Sequence, residues 1–150
     1  MKLKIPPPIW LLIFMGLAKG LDMLIPALNV TLPAQRGLTY GLIIVGFLFA
    51  LPAVRSFFVA KTTVNPHTPH KSSTLVTGGV FQLTRNPMYL GLLFILTGWC
   101  ISLANLTGLA VIAGFIALIT AFQIKPEEEM LQKLFGEEYA AYCRQVRRWI

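Results

Sequence analysis

The chain has 150 residues, of which 55% are hydrophobic and only 13% are charged. A soluble domain of this size needs more charge to cover its surface, so the composition excludes an ordinary soluble globular protein and indicates a bilayer. The net charge of +7 raises nucleic acid as a partner, but the basic residues flank apolar segments, which favours membrane orientation and argues against nucleic-acid binding. The length allows one domain, residues 1–150.

Four apolar segments follow one another along the chain: Ile9–Val30, Leu38–Ala60, Met88–Ala104 and Leu106–Ile124. Each holds close to the roughly 20 residues that cross a bilayer core at about 1.5 Å of rise per residue. Lipid offers the backbone no hydrogen-bond partners, so each segment should be helical. We therefore predict an all-α polytopic membrane protein with about four transmembrane helices.

The first apolar segment contains two charged residues, Lys19 and Asp22, three positions apart on one helix face. Two interpretations remain open: the residues pair within the helix and reach towards an interface, or they contact a substrate tunnel. The segment has no small-residue cleavage site, which favours a retained helix over a signal peptide.

Basic residues are concentrated on one side of the predicted membrane. With a cytoplasmic N-terminus, that side receives Lys2, Lys4, Lys61, Lys71, Arg85, Lys125 and the rest of the tail. The other side receives only Arg36 and the uncharged turn around Asn105. The positive-inside rule therefore favours two cytoplasmic termini and an even number of spans, in a bacterial inner membrane or an equivalent membrane.

The tail after Pro126 has a different pattern from the apolar segments. Its hydrophobic residues recur at spacings of three and four: Met130, Leu131, Leu134, Phe135, Tyr139, Tyr142 and Val146. This spacing predicts a C-terminal amphipathic helix that lies on the membrane surface or packs on the bundle, with Gly136 marking a bend or a close approach.

Two polar clusters fall on the predicted cytoplasmic side. The first runs from Ser73 to Gly91, and the second is Glu127-Glu128-Glu129. A helical hairpin returns its ends to the same membrane face, so residues about 40 positions apart should converge. Taken singly, Arg85 is typical of a headgroup anchor, Tyr89 of an interfacial residue and the glutamates of helix N-terminal charges. Taken together, they suit a polar zwitterionic ligand beside an apolar one.

Metal binding is not indicated. His67 and His70 lie in a Pro-rich stretch without further ligands, which is typical of a solvated loop. Cys100 lies in an apolar segment and Cys143 in the polar tail, which does not favour a disulfide or a metal site.

Two stretches of the chain have a distinctive spacing of residues that can be compared with known sequence motifs. The first is Leu75-Val76-Thr77-x-Gly79-Val80-Phe81-x-x-x-Arg85-Asn86-Pro87-x-Tyr89-x-Gly91. The second is Glu127-Glu128-x-x-Leu131-x-x-x-Phe135-Gly136-x-x-Tyr139-x-x-Tyr142-x-x-x-Val146. Both resemble motifs of the isoprenylcysteine carboxyl methyltransferase family, which is grouped with the membrane phospholipid methyltransferases. The resemblance covers about residues 62–148.

The resemblance implies packed transmembrane helices with a pocket for S-adenosylmethionine on the cytosolic side. The residues that it assigns to this cofactor are Ser73, Thr74, Leu75, Val76, Phe81, Asn86, Pro87, Met88, Tyr89 and Glu127. It places Arg85 and Gln123 at the substrate, a membrane lipid or lipophilic small molecule that enters from the bilayer. Methyl transfer needs alignment and exclusion of water rather than a metal, and no single catalytic residue is assigned.

The sequence departs from the eukaryotic prenylcysteine enzymes at three positions. Asn86 stands where they have His, Phe81 where they often have Tyr, and Gln123 where they have Arg. Gln can hydrogen-bond a carboxylate, but it lacks the charged bidentate fork of Arg. Three functions therefore remain: methylation of a lipophilic acceptor as in the prenylcysteine enzymes, methylation of a phospholipid amine or small thiol, and a non-catalytic membrane protein that keeps the fold.

Overall fold

The described part of the chain forms six α-helices. The computed structural model describes residues 5–59 and 74–150, except for the side chain of Phe57, so Ser73, His67 and His70 lie outside the described residues. The helices are α1 Pro7–Leu24, α2 Gln35–Val59, α3 Pro87–Leu103, α4 Thr107–Ile119, α5 Lys125–Phe135 and α6 Glu137–Gln145. Within the described ranges, β pairing is limited to an isolated bridge between Asn29 and Asn105. The prediction of an all-α protein is confirmed.

Three of the described helical stretches are long and apolar enough to cross a bilayer: Pro7–Leu24, Gln35–Ser56 and Thr107–Phe135. The third is long because α4 continues through a π-helical turn, Thr120–Ile124, into α5. Helix α3 is apolar but shorter, with 17 residues. Pro87 can start this helix because proline lacks a backbone N–H and the first turn of a helix does not need one. Ala104 ends the helix in the left-handed conformation at φ 50°.

The turn between α3 and α4 is tight, as the sequence predicts. The Asn105 side chain holds it, because its Nδ2 donates to the carbonyl oxygen of Ile25 at 3.0 Å and to Oδ1 of Asn29 at 2.7 Å. Its Oδ1 accepts the backbone N–H of Thr107 at 2.9 Å. The buried amide thereby caps the hairpin and ties it to the α1–α2 connection.

Helices α2 and α3 approach each other through glycine. A Cβ on Gly46 would lie 2.7 Å from the carbonyl oxygen of Gly91, and a Cβ on Gly91 would lie 2.6 Å from the carbonyl oxygen of Gly46 and 2.8 Å from the Cβ of Ala50. Small residues of this kind let two backbones come close in lipid, where van der Waals packing replaces the hydrophobic drive for association.

Helices α1, α3 and α4 form the main apolar core. Phe14 meets Phe115 edge to face at a centroid distance of 5.4 Å, and the indole of Trp99 donates to the carbonyl oxygen of Met15 at 3.0 Å. On α1, Nζ of Lys19 lies 2.8 Å from Oδ2 of Asp22. These residues therefore pair within the helix, which is the first of the two interpretations of the sequence.

The glycine contact provides a test of the α2–α3 packing. We expect Gly46→Ala to lower the stability by about 1–3 kcal/mol, because an overpacked contact forces the backbones apart. Gly41→Ala is the matched control on the same helix, since a Cβ there meets no atom within 4 Å. The measurement is the unfolding midpoint in detergent micelles by circular dichroism. Equal midpoints for the two variants would contradict this packing.

Candidate functional site

The two polar clusters meet at the end of the α3–α4 hairpin that lies opposite Asn105. Tyr89, in the first turn of α3, donates its hydroxyl to Oε1 of Glu127, at the start of α5, at 2.5 Å. These residues are 38 positions apart. The hairpin therefore brings the Arg-Asn-Pro segment and the glutamate run into one place, which is the convergence that the sequence predicts.

The entry to α3 has a defined local structure. Asn86 is not helical (φ −129°, ψ 54°), and its backbone N–H donates to Oγ1 of Thr84 at 3.1 Å. Pro87 then begins the helix with a preset φ. Thr84, Asn86 and Pro87 are all buried. This geometry turns Arg85 and Tyr89 towards α5.

Glu128 lies between two guanidinium groups. Oε1 of Glu128 is 3.3 Å from Nη2 of Arg85. Arg148 donates two hydrogen bonds to the same carboxylate, from Nε to Oε1 at 3.0 Å and from Nη2 to Oε2 at 2.7 Å. The hydrogen bond with Glu128 raises the pKa of Arg148 above its usual value. Arg85 also donates to the sulfur of Cys143 through Nη1. Glu128 is therefore neutralised by the protein itself.

Glu127 differs from Glu128 in its partners. Its carboxylate accepts the Tyr89 hydroxyl, and among residues 5–59 and 74–150 no Lys or Arg forms an ion pair with it. A helix dipole does not account for it either, because α5 continues directly out of the π-helical turn and has no free N-terminus. Glu127 is thus a partly buried carboxylate that can still pair with a cation.

A cluster of aromatic side chains packs beside the glutamates. Phe81, Tyr139 and Tyr142 are buried there together with Ala53 of α2. The hydroxyl of Tyr142 donates to the carbonyl oxygen of Phe81 at 2.6 Å, and burial raises the pKa of Tyr142 to about 12. Tyr142 therefore remains a neutral donor at physiological pH. Gly136, at φ 52°, breaks α5 from α6 and so lets these tyrosines face inward.

The remaining residues predicted from the sequence take different positions. Leu75 and Val76 are partly buried against the aromatic cluster, whereas Thr74 is exposed. Met88 packs against both this cluster and the main core. Asn86 is buried, and its Nδ2 donates to the carbonyl oxygen of Arg148 at 2.9 Å.

Gln123, predicted at the substrate, is 3% exposed and lies in the π-helical turn. Its Nε2 donates to the carbonyl oxygen of Ile5 at 2.8 Å. The structure therefore uses one N–H of this amide to hold the start of the described chain.

Sequence reasoning missed three participants in this region: Thr84, Cys143 and Arg148. Their contacts run to residues 58 to 64 positions away in the chain. The adjacent Arg147 and Arg148 could have indicated an ion pair. A pair of basic residues in a tail is common, however, and the sequence does not show which carboxylate it binds.

The arrangement suits a ligand that carries both polar charge and an apolar part. Among the described residues, Nε of Arg85 is buried without a hydrogen-bond partner, and the Glu127 carboxylate has no ion-pair partner. A Cβ on Gly78 or Gly79 would meet open space, so the neighbouring backbone is accessible. The aromatic cluster supplies an apolar wall.

Parts of the chain are similar to known proteins. A phospholipid methyltransferase family model matches residues 34–138. An uncharacterized protein of Haemophilus influenzae is 50% identical over 63 residues, which are 42% of this chain and 100% of that protein. The protein-S-isoprenylcysteine O-methyltransferase B of Arabidopsis thaliana is 35% identical over 72 residues, which are 48% of this chain and 36% of that protein. No solved structure matches at a significant level.

The family match includes α2, α3, α4 and α5 and ends within α6, so it contains both sides of the candidate site. The apolar helices agree with an integral membrane protein. Because the match covers more than half of its length, this chain belongs to the phospholipid methyltransferase family of membrane methyltransferases.

Proposed function

We propose that this protein is an S-adenosylmethionine-dependent methyltransferase that acts on a lipophilic acceptor at the cytosolic membrane face, in the manner of the isoprenylcysteine carboxyl methyltransferases. One observation carries the proposal: the Tyr89–Glu127 hydrogen bond joins the two motif segments at one end of a membrane hairpin. A polar site at that boundary can receive a water-soluble cofactor from one side and a lipid from the other.

The proposed membrane arrangement has four spans, with α3 as the additional one. Its 17 residues rise about 25 Å, less than the roughly 30 Å of a typical hydrocarbon core, and local thinning of the bilayer accommodates this mismatch. Residues 1–150 then form one domain with both termini in the cytoplasm of a bacterial or equivalent cell. Helix α4 and the π-helical turn form the last span, and α5 and α6 form the amphipathic tail at its cytosolic end.

The residues present fit the cofactor. The unpaired carboxylate of Glu127 suits a cationic group, and Tyr89 orients that carboxylate. The apolar parts of the cofactor would contact Leu75, Val76 and Phe81 at the aromatic cluster. The rest of the proposed contact set is Ser73, Thr74, Asn86, Pro87 and Met88.

When bound, S-adenosylmethionine supplies a methyl group that is already activated on a sulfonium sulfur. The protein then has to orient the two reactants and exclude water. The buried Phe81, Tyr139 and Tyr142 exclude water on one side, and the Arg85–Glu128 pair holds the loop before α3 in place. A carboxylate or thiolate acceptor requires no general base from the chain.

A phospholipid amine is the second candidate acceptor. Gln123 stands where the prenylcysteine enzymes carry a substrate-gripping Arg. Its neutral amide already bonds Ile5 and offers an acceptor carboxylate no charged fork. The buried Nε of Arg85 remains for an anionic oxygen, and a phospholipid phosphate provides one. The name of the Arabidopsis relative favours the first candidate, and the family description favours the second.

Removal of the unpaired carboxylate tests the cofactor site. We expect Glu127→Ala to weaken S-adenosylhomocysteine binding by about 10- to 100-fold, because a hydrogen bond to a charged group contributes roughly 1.5–3 kcal/mol. Titration calorimetry in detergent measures the affinity. The control is Glu129→Ala, at an exposed position in the same run. Unchanged affinity in a folded Glu127 variant refutes this assignment, and a wild-type protein that binds no ligand at millimolar concentration refutes the cofactor.

The Tyr89 hydroxyl has a smaller expected role. We expect Tyr89→Phe to weaken the same binding by several-fold, since one hydrogen bond that orients Glu127 contributes about 1 kcal/mol. Tyr40→Phe, on the exposed face of α2, serves as the control. Wild-type affinity in Tyr89→Phe would show that the bond does not orient the carboxylate for the ligand.

The acceptor can be identified by its product and its pH dependence. Membrane extract and cofactor labelled in the methyl group should yield a labelled lipid, whose chromatographic identity separates the candidates. An amine must lose a proton before transfer, so its rate should rise with pH through neutrality, whereas a carboxylate acceptor should give a flat profile there. No labelled product from any lipid fraction would favour the non-catalytic alternative.

A further inference from the structure

The last residues of the chain lie against the proposed site. Val146 leaves α6 in an extended conformation (φ −123°, ψ 133°), and Val146–Ile150 is called the C-terminal segment here. Its contacts reach the loop before α3, the π-helical turn and the start of α5. A free tail would have no such set of partners, so the C-terminal segment is part of the folded structure around the proposed site.

The backbone of the C-terminal segment holds the loop before α3. The carbonyl oxygen of Arg147 accepts the N–H of Arg85 at 3.0 Å. The carbonyl oxygen of Arg148 accepts Nδ2 of Asn86 at 2.9 Å and the hydroxyl of Thr84 at 3.2 Å. Three consecutive loop residues are therefore bonded to two consecutive carbonyl groups.

The side chains of the same segment hold the other part of the site. The guanidinium of Arg148 donates to both oxygens of Glu128, the neighbour of Glu127. The indole of Trp149 donates to Oγ1 of Thr120 at 3.3 Å and packs against the main core. Arg148 is thus bonded through its backbone to the motif that precedes α3 and through its side chain to the motif that starts α5.

We infer that Arg148 is a positioning residue of the proposed methyl-transfer site, which sets the distance between Asn86 and the Glu127–Glu128 pair. The inference rests on the proposed function. The guanidinium of Arg148 pairs with Glu128 in a bidentate geometry, and the Glu128 side chain is only 16% exposed. These two features distinguish the pair from an ordinary surface salt bridge. Arg85 reaches Glu128 with a single contact at 3.3 Å and does not replace the fork.

Asn86 takes part in the same linkage. Its amide donor is engaged by the Arg148 carbonyl, so the residue at this position needs an N–H donor and does not need to titrate. Asn86→His keeps a ring N–H that can donate, whereas Asn86→Asp at neutral pH places a carboxylate against a carbonyl oxygen. Retained binding in the His variant together with lost binding in the Asp variant is expected.

The test compares two adjacent arginines that lose the same charge. Arg148→Gln removes the fork on Glu128, and Arg147→Gln is the matched control at an exposed position whose backbone carbonyl contact is unaffected. Arg148→Lys keeps the positive charge but cannot form the bidentate pair with Glu128. A chain ending at Arg147 also removes the carbonyl group that accepts the hydrogen bond from Asn86. Calorimetric titration with S-adenosylhomocysteine reports affinity and stoichiometry, and circular dichroism reports the unfolding midpoint.

We expect Arg148→Gln to weaken S-adenosylhomocysteine binding by about 10- to 100-fold at unchanged stoichiometry, with Arg148→Lys intermediate and the truncated chain weakest. Arg147→Gln should match the wild type. A merely structural role would instead reduce the stoichiometry and the midpoint while the remaining protein bound normally, and that result overturns the inference. Equal affinities for Arg148→Gln and the wild type also overturn it. Absence of binding by the wild type refutes the proposed function itself, and the inference with it.

Discussion

The tight turn between α3 and α4 is the constraint on which the candidate site depends. Only Ala104, Asn105 and Leu106 separate α3 from α4, so the chain reverses direction sharply between these two apolar helices. Asn105 makes this reversal possible, because its buried amide bonds the α1–α2 connection and the first turn of α4. With the turn held in place, the other ends of the two helices lie side by side, where Tyr89 reaches Glu127.

The site divides its two carboxylates between different tasks. Glu128 is neutralised by Arg85 and Arg148 and therefore contributes to the architecture of the loop and the tail. Glu127 has only a hydroxyl donor among the described residues, so it retains the capacity to bind a cation. Two adjacent residues of one type thus differ in chemistry because the helix directs them at different neighbours.

The sequence predicted more of the fold than of the site. Hydrophobic segment lengths predicted the last three helical stretches within about three residues, but the first segment was predicted to reach Val30 and α1 ends at Leu24. The signature predicted that Arg85, Tyr89 and Glu127 belong together. The partners of these residues were harder to predict. Gln123 is predicted at the substrate, and the sequence did not predict that its amide also bonds Ile5, which is 118 positions away. Cys143, which looked like an unremarkable thiol in a polar tail, accepts a hydrogen bond from Arg85.

The sequence by itself determined the helical membrane character, the two motif segments and their order on either side of one hairpin. These properties follow from local composition and spacing, since lipid permits only helix and the turn leaves one way to return. Only the tertiary structure decided which glutamate is neutralised, what Asn86 donates to, and that the tail closes against the loop. Such choices depend on the approach of elements about 60 residues apart, and hydrogen bonds form or fail over fractions of an ångström.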